Sequence, residues 1–419
     1  MKVCIIGAGV IGLTTAYALA RRGHDVSIVE AHDGAGEGAS FGNGAQLSYS
    51  YVAPLADASV WASMPSYLLN PDSPLSWRPA LELAQWKWLC SFLLACNQRK
   101  SRQTTTELLR LAFYSRNCLA NLQAQLALDF DLRQAGKLVM YSSDVALKAA
   151  AAQVAYQAQL GCEQQVLSTQ ACLDIEPALA HAAARWVGGV YTPSEDVGDC
   201  ARFCRQLSQA LIHNYPKVKF LYHTQVNGML VQAGKLQALQ TSQGDISADA
   251  YVLANGSHAA TLAARAGLHL PVYPLKGYSI TLDAPAADAS LPSVSITDSA
   301  RKIVYARIGD RLRVAGRVEI VGHDMQINAA RARSLLTETQ ALFPGVTISA
   351  DADAIRPWVG MRPATPTGIP IIGASPVSNL YLNTGHGALG WTLACGSAEL
   401  LAQQIDGEQN AIDASPYHY

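Results

Sequence analysis

Apolar residues run unbroken from Val3 to Ile6, give way to Gly7, Gly9 and Gly12, and resume with helical periodicity from Val10 to Arg22. The pattern predicts a buried strand over Lys2 to Ile6, a tight turn, a helix, and a second strand from Asp25 to Val29. A run of small residues, GAGEGASFGNGAQLS (34–48), reads as a loop with Ser40, Asn43 and Gln46 as its polar points. A Pro-rich stretch carrying Trp61, Tyr67 and Trp77 leads into an amphipathic helix. Leu81, Ala84, Trp88, Phe92 and Ala95 share one face of it, and Glu82, Gln85 and Ser91 lie opposite.

Helical patterns follow over 103–128 and 145–160, with a strand from Leu138 to Tyr141 between them. Residues 188–211 give a strand, a turn and a helix capped near Asp199. Further strands are predicted at Lys219–Leu221, Gln225–Gln232, Leu236–Thr241 and Ile246–Leu253, the last running into a second strand-to-helix turn at Gly256. Alternating segments over 272–282 and 302–318 predict an antiparallel sheet, with Gly309 and Asp310 making a hairpin turn. The chain closes with a strand over 379–384 and a glycine turn opening a final helix, 385–405.

The opening glycines have the spacing GxGxxG between a strand and a helix. The first permits a tight turn, the second admits a pyrophosphate against the backbone, and the third lets helix and sheet pack closely. The helix N-terminus then receives the phosphate. Glu30 ends the second strand roughly twenty residues on, where a ribose hydroxyl needs an acceptor. This fingerprint indicates a dinucleotide and does not separate NAD from FAD.

Composition narrows the class. A chain of 419 residues fits two or more lobes. Its formal charge of -1 removes the electrostatic footprint of a nucleic-acid binder. The nine cysteines are scattered without a CxxC pair, so neither a disulfide framework nor a metal site is expected, and a reducing cytoplasm fits. The N-terminus lacks the features of a signal peptide. No charge-free apolar stretch of about eighteen residues predicts a spanning helix.

Taken in order, ASFGNGAQLS, VYPLKGYS (272–279), RVAGRVEIVG (313–322), GMRPATPTGIPIIG (360–373) and LNTGHGALGWTLACGS (382–397) resemble the flavin-dependent D-amino acid and amine oxidoreductases. Within that family the likeness is to the bacterial D-amino acid dehydrogenase small-subunit type, and it covers essentially the whole chain. It implies an α/β fold: a discontinuous Rossmann-like FAD-binding domain of the glutathione-reductase-like type, with a second α+β substrate domain built on an antiparallel sheet. The expected boundaries are 1–60, 195–265 and 350–419 for the first domain, and 61–194 and 266–349 for the second.

The resemblance implies FAD, held without a covalent bond. Gly7, Gly9, Val10, Ile11, Gly12, Glu30, Ala31, Ser40, Asn43 and Gln46 match its N-terminal contacts, Val226 its adenine-side strand, and Ala254 and Gly256 its second nucleotide turn. Gly385, Gly387, Ala388, Leu389, Gly390, Trp391 and Thr392 match the turn that lays the flavin's pyrimidine edge over a helix end, with His386 inside it. Arg362 occupies the position that holds a substrate carboxylate in a forked contact. Tyr278 resembles a second carboxylate or amine contact, and Tyr305 and Arg307 are further candidates to line the site.

The implied reaction is oxidative deamination of a D-amino acid by hydride transfer from Cα to flavin N5, giving a 2-oxo acid and ammonia. A quinone or other respiratory acceptor would receive the electrons, and the aromatic segment 61–92 would touch the cytoplasmic face of the inner membrane. Three alternatives stay open: an oxygen-using oxidase releasing peroxide, a secondary-amine substrate such as D-proline or sarcosine, and a flavin redox sensor without turnover. ASFGNGAQLS and Tyr305 depart from the dehydrogenase pattern, which leaves the preferred side chain undecided.

Overall fold

Two large sheets, one parallel and one mostly antiparallel, organise the chain. The computed structural model describes residues 1–61, 64, 73–283, 290–345 and 355–419; Tyr67 lies outside them. The opening strand Lys2–Ile6 is central in a six-stranded sheet. Ala250–Leu253, Leu380–Thr384 and Ile371–Ala374 succeed one another on one side, Asp25–Val29 and Val218–Leu221 on the other. All strands run parallel except the edge strand Ile371–Ala374. Cys4, Ile5, Val26, Ile28 and Val252 are buried completely. A parallel sheet covered on both faces needs such apolar runs in place of alternation.

On one face, the C-terminal helix Gly390–Asp406 packs against Val10–Ala20 and against the long helix Gln98–Leu126. The close approach depends on Gly396, where a Cβ would meet the Ser115 Cα at 2.8 Å. The Gly396 amide donates to Ser115 Oγ at 3.0 Å, and Thr14 Oγ1 donates to the Ala394 carbonyl at 3.2 Å. The long helix starts before the expected residue 103 because the Asn97 side chain accepts from the Lys100 amide and caps it at Gln98.

The second sheet has nine strands among the described residues. Arg356–Ala364, Tyr273–Asp283, Arg311–Ile320, Ile303–Ile308, Ser295–Asp298, Lys137–Tyr141, Gly188–Thr192 and Gln165–Leu167 follow one another across it, and Leu75–Trp77 pairs with Arg311–Ile320. The expected hairpin at Gly309 is present. The sheet is not purely antiparallel: Ser295–Asp298 pairs parallel with Lys137–Tyr141, and Arg311–Ile320 parallel with Leu75–Trp77. Both joints unite segments far apart in sequence, so no local turn dictates their direction. Arg356–Ala364, grouped by the sequence with the C-terminal nucleotide segment, pairs along its length with Tyr273–Asp283. The chain therefore leaves the second sheet between Ala364 and Ile371.

The aromatic helix spans Leu83–Ala95, with Trp88, Phe92 and Ala95 buried as its period requires. Three expectations change. Ala84, expected on the apolar face, is exposed. Leu81 precedes the helix and is exposed. Gln85, assigned to the polar face, is buried because its amide joins three segments. Its oxygen accepts from Trp77 Nε1 at 3.3 Å and the Ala80 amide at 2.9 Å, and its nitrogen donates to the Tyr273 hydroxyl at 3.1 Å. Trp61, Leu83, Trp86 and Leu94 remain exposed beside it.

Candidate active site

The opening turn is shaped for a pyrophosphate. Gly7 adopts φ +105°, where a Cβ would lie 2.9 Å from the Ala254 carbonyl, and a Cβ on Gly12 would lie 1.9 Å from the Gly7 carbonyl. Both positions require glycine. Gly9, Val10 and Ile11 form the mouth of the helix, and Ser40 Oγ accepts from the Val10 amide at 3.0 Å, tying the 34–48 loop to that mouth. The Glu30 carboxylate is fixed by amides at both oxygens, Ala8 at 2.7 Å and His32 at 3.0 Å, beside Ala31. Ala254 and Gly256 stand across the turn. The Asn255 Oδ1 between them is buried without a hydrogen-bond partner among the described residues. Val226 opens the strand Val226–Gln232 of a small three-stranded antiparallel sheet.

The C-terminal turn faces the same region. Gly385 and Gly387 take φ +82° and +56°, Ala388 and Leu389 complete a short 3₁₀ turn, and Gly390 begins the last helix. Thr392 Oγ1 accepts from the Ser48 amide at 3.0 Å, binding this turn to the 34–48 loop. Trp391 points into the core, packed on Phe203 and Phe130 with ring centroids 4.8 and 5.9 Å away. His386 is 2% exposed, and neither ring nitrogen has a partner among the described residues. Burial pushes its imidazole down to about 3, so the ring is neutral at physiological pH.

Arg362 lies next to this turn, because His386 forms an antiparallel bridge with Ala364, two residues beyond it. Its guanidinium crosses Gly277 of the neighbouring strand, where a Cβ would stand 2.6 Å from Nη2 and 2.7 Å from Cζ. Among the described residues it makes no hydrogen bond or ion pair, and burial lowers its pKa from the usual arginine value. A cation partly withdrawn from water without a counter-charge among the described residues is costly, and an arriving carboxylate relieves that cost. The same face presents Trp358, four residues before Arg362, its indole laid over Gly360 and against Gly42. Ser279 Oγ donates to the Gly42 carbonyl at 2.7 Å and Arg313 Nη1 to the Asn43 carbonyl at 2.9 Å. The loop thus spans from Trp358 to Thr392, with Gly42, Asn43 and Gln46 along it.

Strand alternation separates the other expected site residues from Arg362. Tyr278 stands on the opposite face, in the core beneath the helix Ala329–Leu342, with its hydroxyl 2.6 Å from Glu319 Oε2. Tyr305 occupies that same core, edge-on to Phe343 with centroids 5.4 Å apart, and Arg307 shares its strand parity. None of the three joins Arg362. Tyr278 is one residue from Gly277, and a step of one along a strand reverses the face. The sequence reading missed Trp358, Gly277 and Gly42; the glycines facing an arginine and a tryptophan across paired strands were the available signal.

The residues fit FAD. The glycine cradle, the fixed Glu30 carboxylate, and buried polar atoms without partners at Gln46 Nε2, Asn255 Oδ1 and His386 together describe a cleft built for a dinucleotide with a polar ring system. The chain belongs to the FAD dependent oxidoreductase family, whose profile matches residues 2–404. Among its relatives, D-amino acid dehydrogenase 2 of Ralstonia nicotianae is 47% identical over 422 residues, covering 100% of this chain and 99% of that protein. D-amino acid dehydrogenase 2 of Pseudomonas aeruginosa is 46% identical, covering 99% and 97%. The fold matches glycine oxidase from Geobacillus kaustophilus with a TM-score of 0.77 at 23% identity, covering 100% of this chain and 98% of the other.

Proposed function

We propose that this enzyme oxidises D-amino acids to 2-oxo acids and ammonia. The observation that carries the reading is Arg362: a half-buried guanidinium with no hydrogen-bond or ion-pair partner among the described residues, lying over Gly277 and beside the C-terminal turn. The names of the relatives support the same substrate class.

Arg362 takes the substrate carboxylate in a forked contact and fixes the Cα relative to the cofactor cleft. The ammonium gives one proton to solvent to become a neutral amine, and the Cα–H bond breaks with both electrons leaving as hydride. Bound FAD supplies the acceptor for that hydride. The resulting iminium adds water at carbon and expels ammonia, leaving the 2-oxo acid. His386, kept neutral by burial, adds no positive charge that would compete with Arg362 for the carboxylate. Trp358, on the same face as Arg362, packs on Gly42 of the 34–48 loop and with it bounds that face. Orientation is the protein's main contribution.

Electrons then pass to a quinone or another respiratory acceptor. Trp61, Leu81, Leu83, Trp86 and Leu94, exposed around one helix, support a peripheral contact with the membrane surface. No helix among the described residues is long and apolar enough to cross a membrane.

The test is anaerobic: D-alanine, L-alanine, D-proline and sarcosine are added separately to the purified flavoprotein while oxidised-flavin absorbance is followed. Bleaching by D-alanine and not its L form supports the proposal. Bleaching by sarcosine alone transfers the enzyme to secondary amines, and no bleaching defeats the catalytic reading. Comparing quinone with oxygen as reoxidant then separates dehydrogenase from oxidase.

A further inference from the structure

Beneath the 34–48 loop lies a buried charged cluster with no part in the reaction described above. Lys137, on the second sheet, is 1% exposed. Its ammonium donates to Gln46 Oε1 and to Ser48 Oγ, the latter at 3.1 Å, and stands 4.6 Å from the centre of the Tyr51 ring. Glu195, also 1% exposed, is the carboxylate whose charge Lys137 feels. One of its oxygens accepts from the Ser50 amide at 2.7 Å; the other has no partner among the described residues. Burial drives the lysine pKa down and the glutamate pKa up, and each charge opposes the shift of the other.

A buried charge pair is weak evidence for stability, since apolar replacements often do as well. Its geometry here is directional. An ammonium has only donors, so the side-chain atom of Gln46 that it contacts must be the oxygen, and the amide nitrogen must point away. That nitrogen is buried and lacks an acceptor among the described residues. Two residues on, the Ser48 amide is fixed to Thr392 of the C-terminal turn. The free donor therefore belongs to the short stretch that joins the loop to the cofactor cleft.

We propose that Lys137, balanced by Glu195, is a positioning residue for the cofactor: it locks the Gln46 side chain so that its amide nitrogen is a fixed donor to the flavin ring system. The inference rests on the FAD cleft described above and adds a residue from the opposite lobe to its construction. Because Lys137 sits on the second sheet, it also makes the loop's position depend on how the two sheets meet.

The test uses Lys137→Met, Gln46→Leu, their double variant, and Lys137→Met combined with Glu195→Gln. The last removes both charges and remains foldable if the single lysine variant is not. The readouts are the dissociation constant for FAD and the absorption bands of the bound flavin. Lys137→Met and Gln46→Leu should each weaken FAD binding roughly tenfold, the scale of one lost charge-assisted hydrogen bond. They should shift the bands alike, and the double variant should be no weaker than Gln46→Leu alone. The charge-neutral pair should keep the defect. Wild-type affinity and bands in the charge-neutral pair, or effects that multiply in the double variant, would overturn the proposal. Gln46→Leu with unchanged flavin overturns it too, by removing the contact itself, while D-amino acid bleaching by that same variant reports separately on the proposed function.

Discussion

Arg362 is held ready by the residue beneath it. Gly277 has no side chain, and the guanidinium rests where a methyl group would be. Two substitutions should therefore converge. Arg362→Ala removes the forked contact and should lower kcat/KM for D-alanine roughly 10²- to 10⁴-fold, the loss expected for two hydrogen bonds to a charged group. Gly277→Ala displaces the arginine without deleting it and should produce a similar defect. In both, steady-state kinetics should change while flavin content stays at the native level; normal turnover in Gly277→Ala would show that the arginine does its work elsewhere. His386 sets a different expectation. Its folded pKa near 3 lies below the usual 6.5, so the neutral ring's contribution to stability is complete above about pH 6.5 and is lost as pH falls towards 3. The full shift corresponds to about 5 kcal/mol as an upper bound. Urea denaturation from pH 7 to 4 should show a shallower acid loss in His386→Leu than in the native protein. Equal slopes would assign the acid sensitivity to other groups.

The strand and the helix read differently from sequence. Along Tyr273–Asp283 all residues but the last are buried, so burial gives no alternation from which to tell faces. Only the pairing of Gly277 with Gly360, and of Ser279 with Ala315 and Trp358, puts the face that carries Arg362 on one side and Tyr278 on the other. The helices are more legible, since a 3.6-residue period survives without knowledge of the partner. Their close contacts are not. Gly396 looks like one more small residue in GALGWTLACGS, yet its Cβ would collide with the Ser115 backbone and part the C-terminal helix from Gln98–Leu126. Gly396→Val should cost about 1–3 kcal/mol or more, as overpacking does. Thermal unfolding should show a clear drop, and an unchanged Tm would mean that the two helices separate without penalty.

At the level of the molecule, both lobes contribute to one cleft: the parallel sheet supplies Gly7, Glu30 and the final helix, and the second sheet supplies Arg362, Trp358 and Lys137. Removal of FAD should therefore loosen the whole assembly. With free FAD at about 100 times its dissociation constant, linkage gives about 2.7 kcal/mol of stabilisation, visible as a Tm that rises with added FAD. The exposed Trp61, Leu81, Leu83, Trp86 and Leu94 carry a second expectation at this scale. Co-sedimentation with phospholipid vesicles should fall when Trp86 and Leu94 are both replaced by serine, with turnover of a soluble acceptor unaffected. Equal sedimentation of variant and native protein would remove the membrane role of this face.

By itself, the sequence determined the nucleotide turn, the parallel core strands and most helices, and it singled out the arginine in the motif GMRP as the carboxylate candidate. Each rests on residues within one or two turns of each other, where backbone geometry and period leave little choice. Tertiary structure alone decided which face of the second sheet carries Arg362, why Gln85 is buried, and that Lys137 reaches Gln46 across 91 positions of chain. Those facts depend on strand register and on partners distant in sequence, and burial of the whole strand erases the alternation that would have announced them.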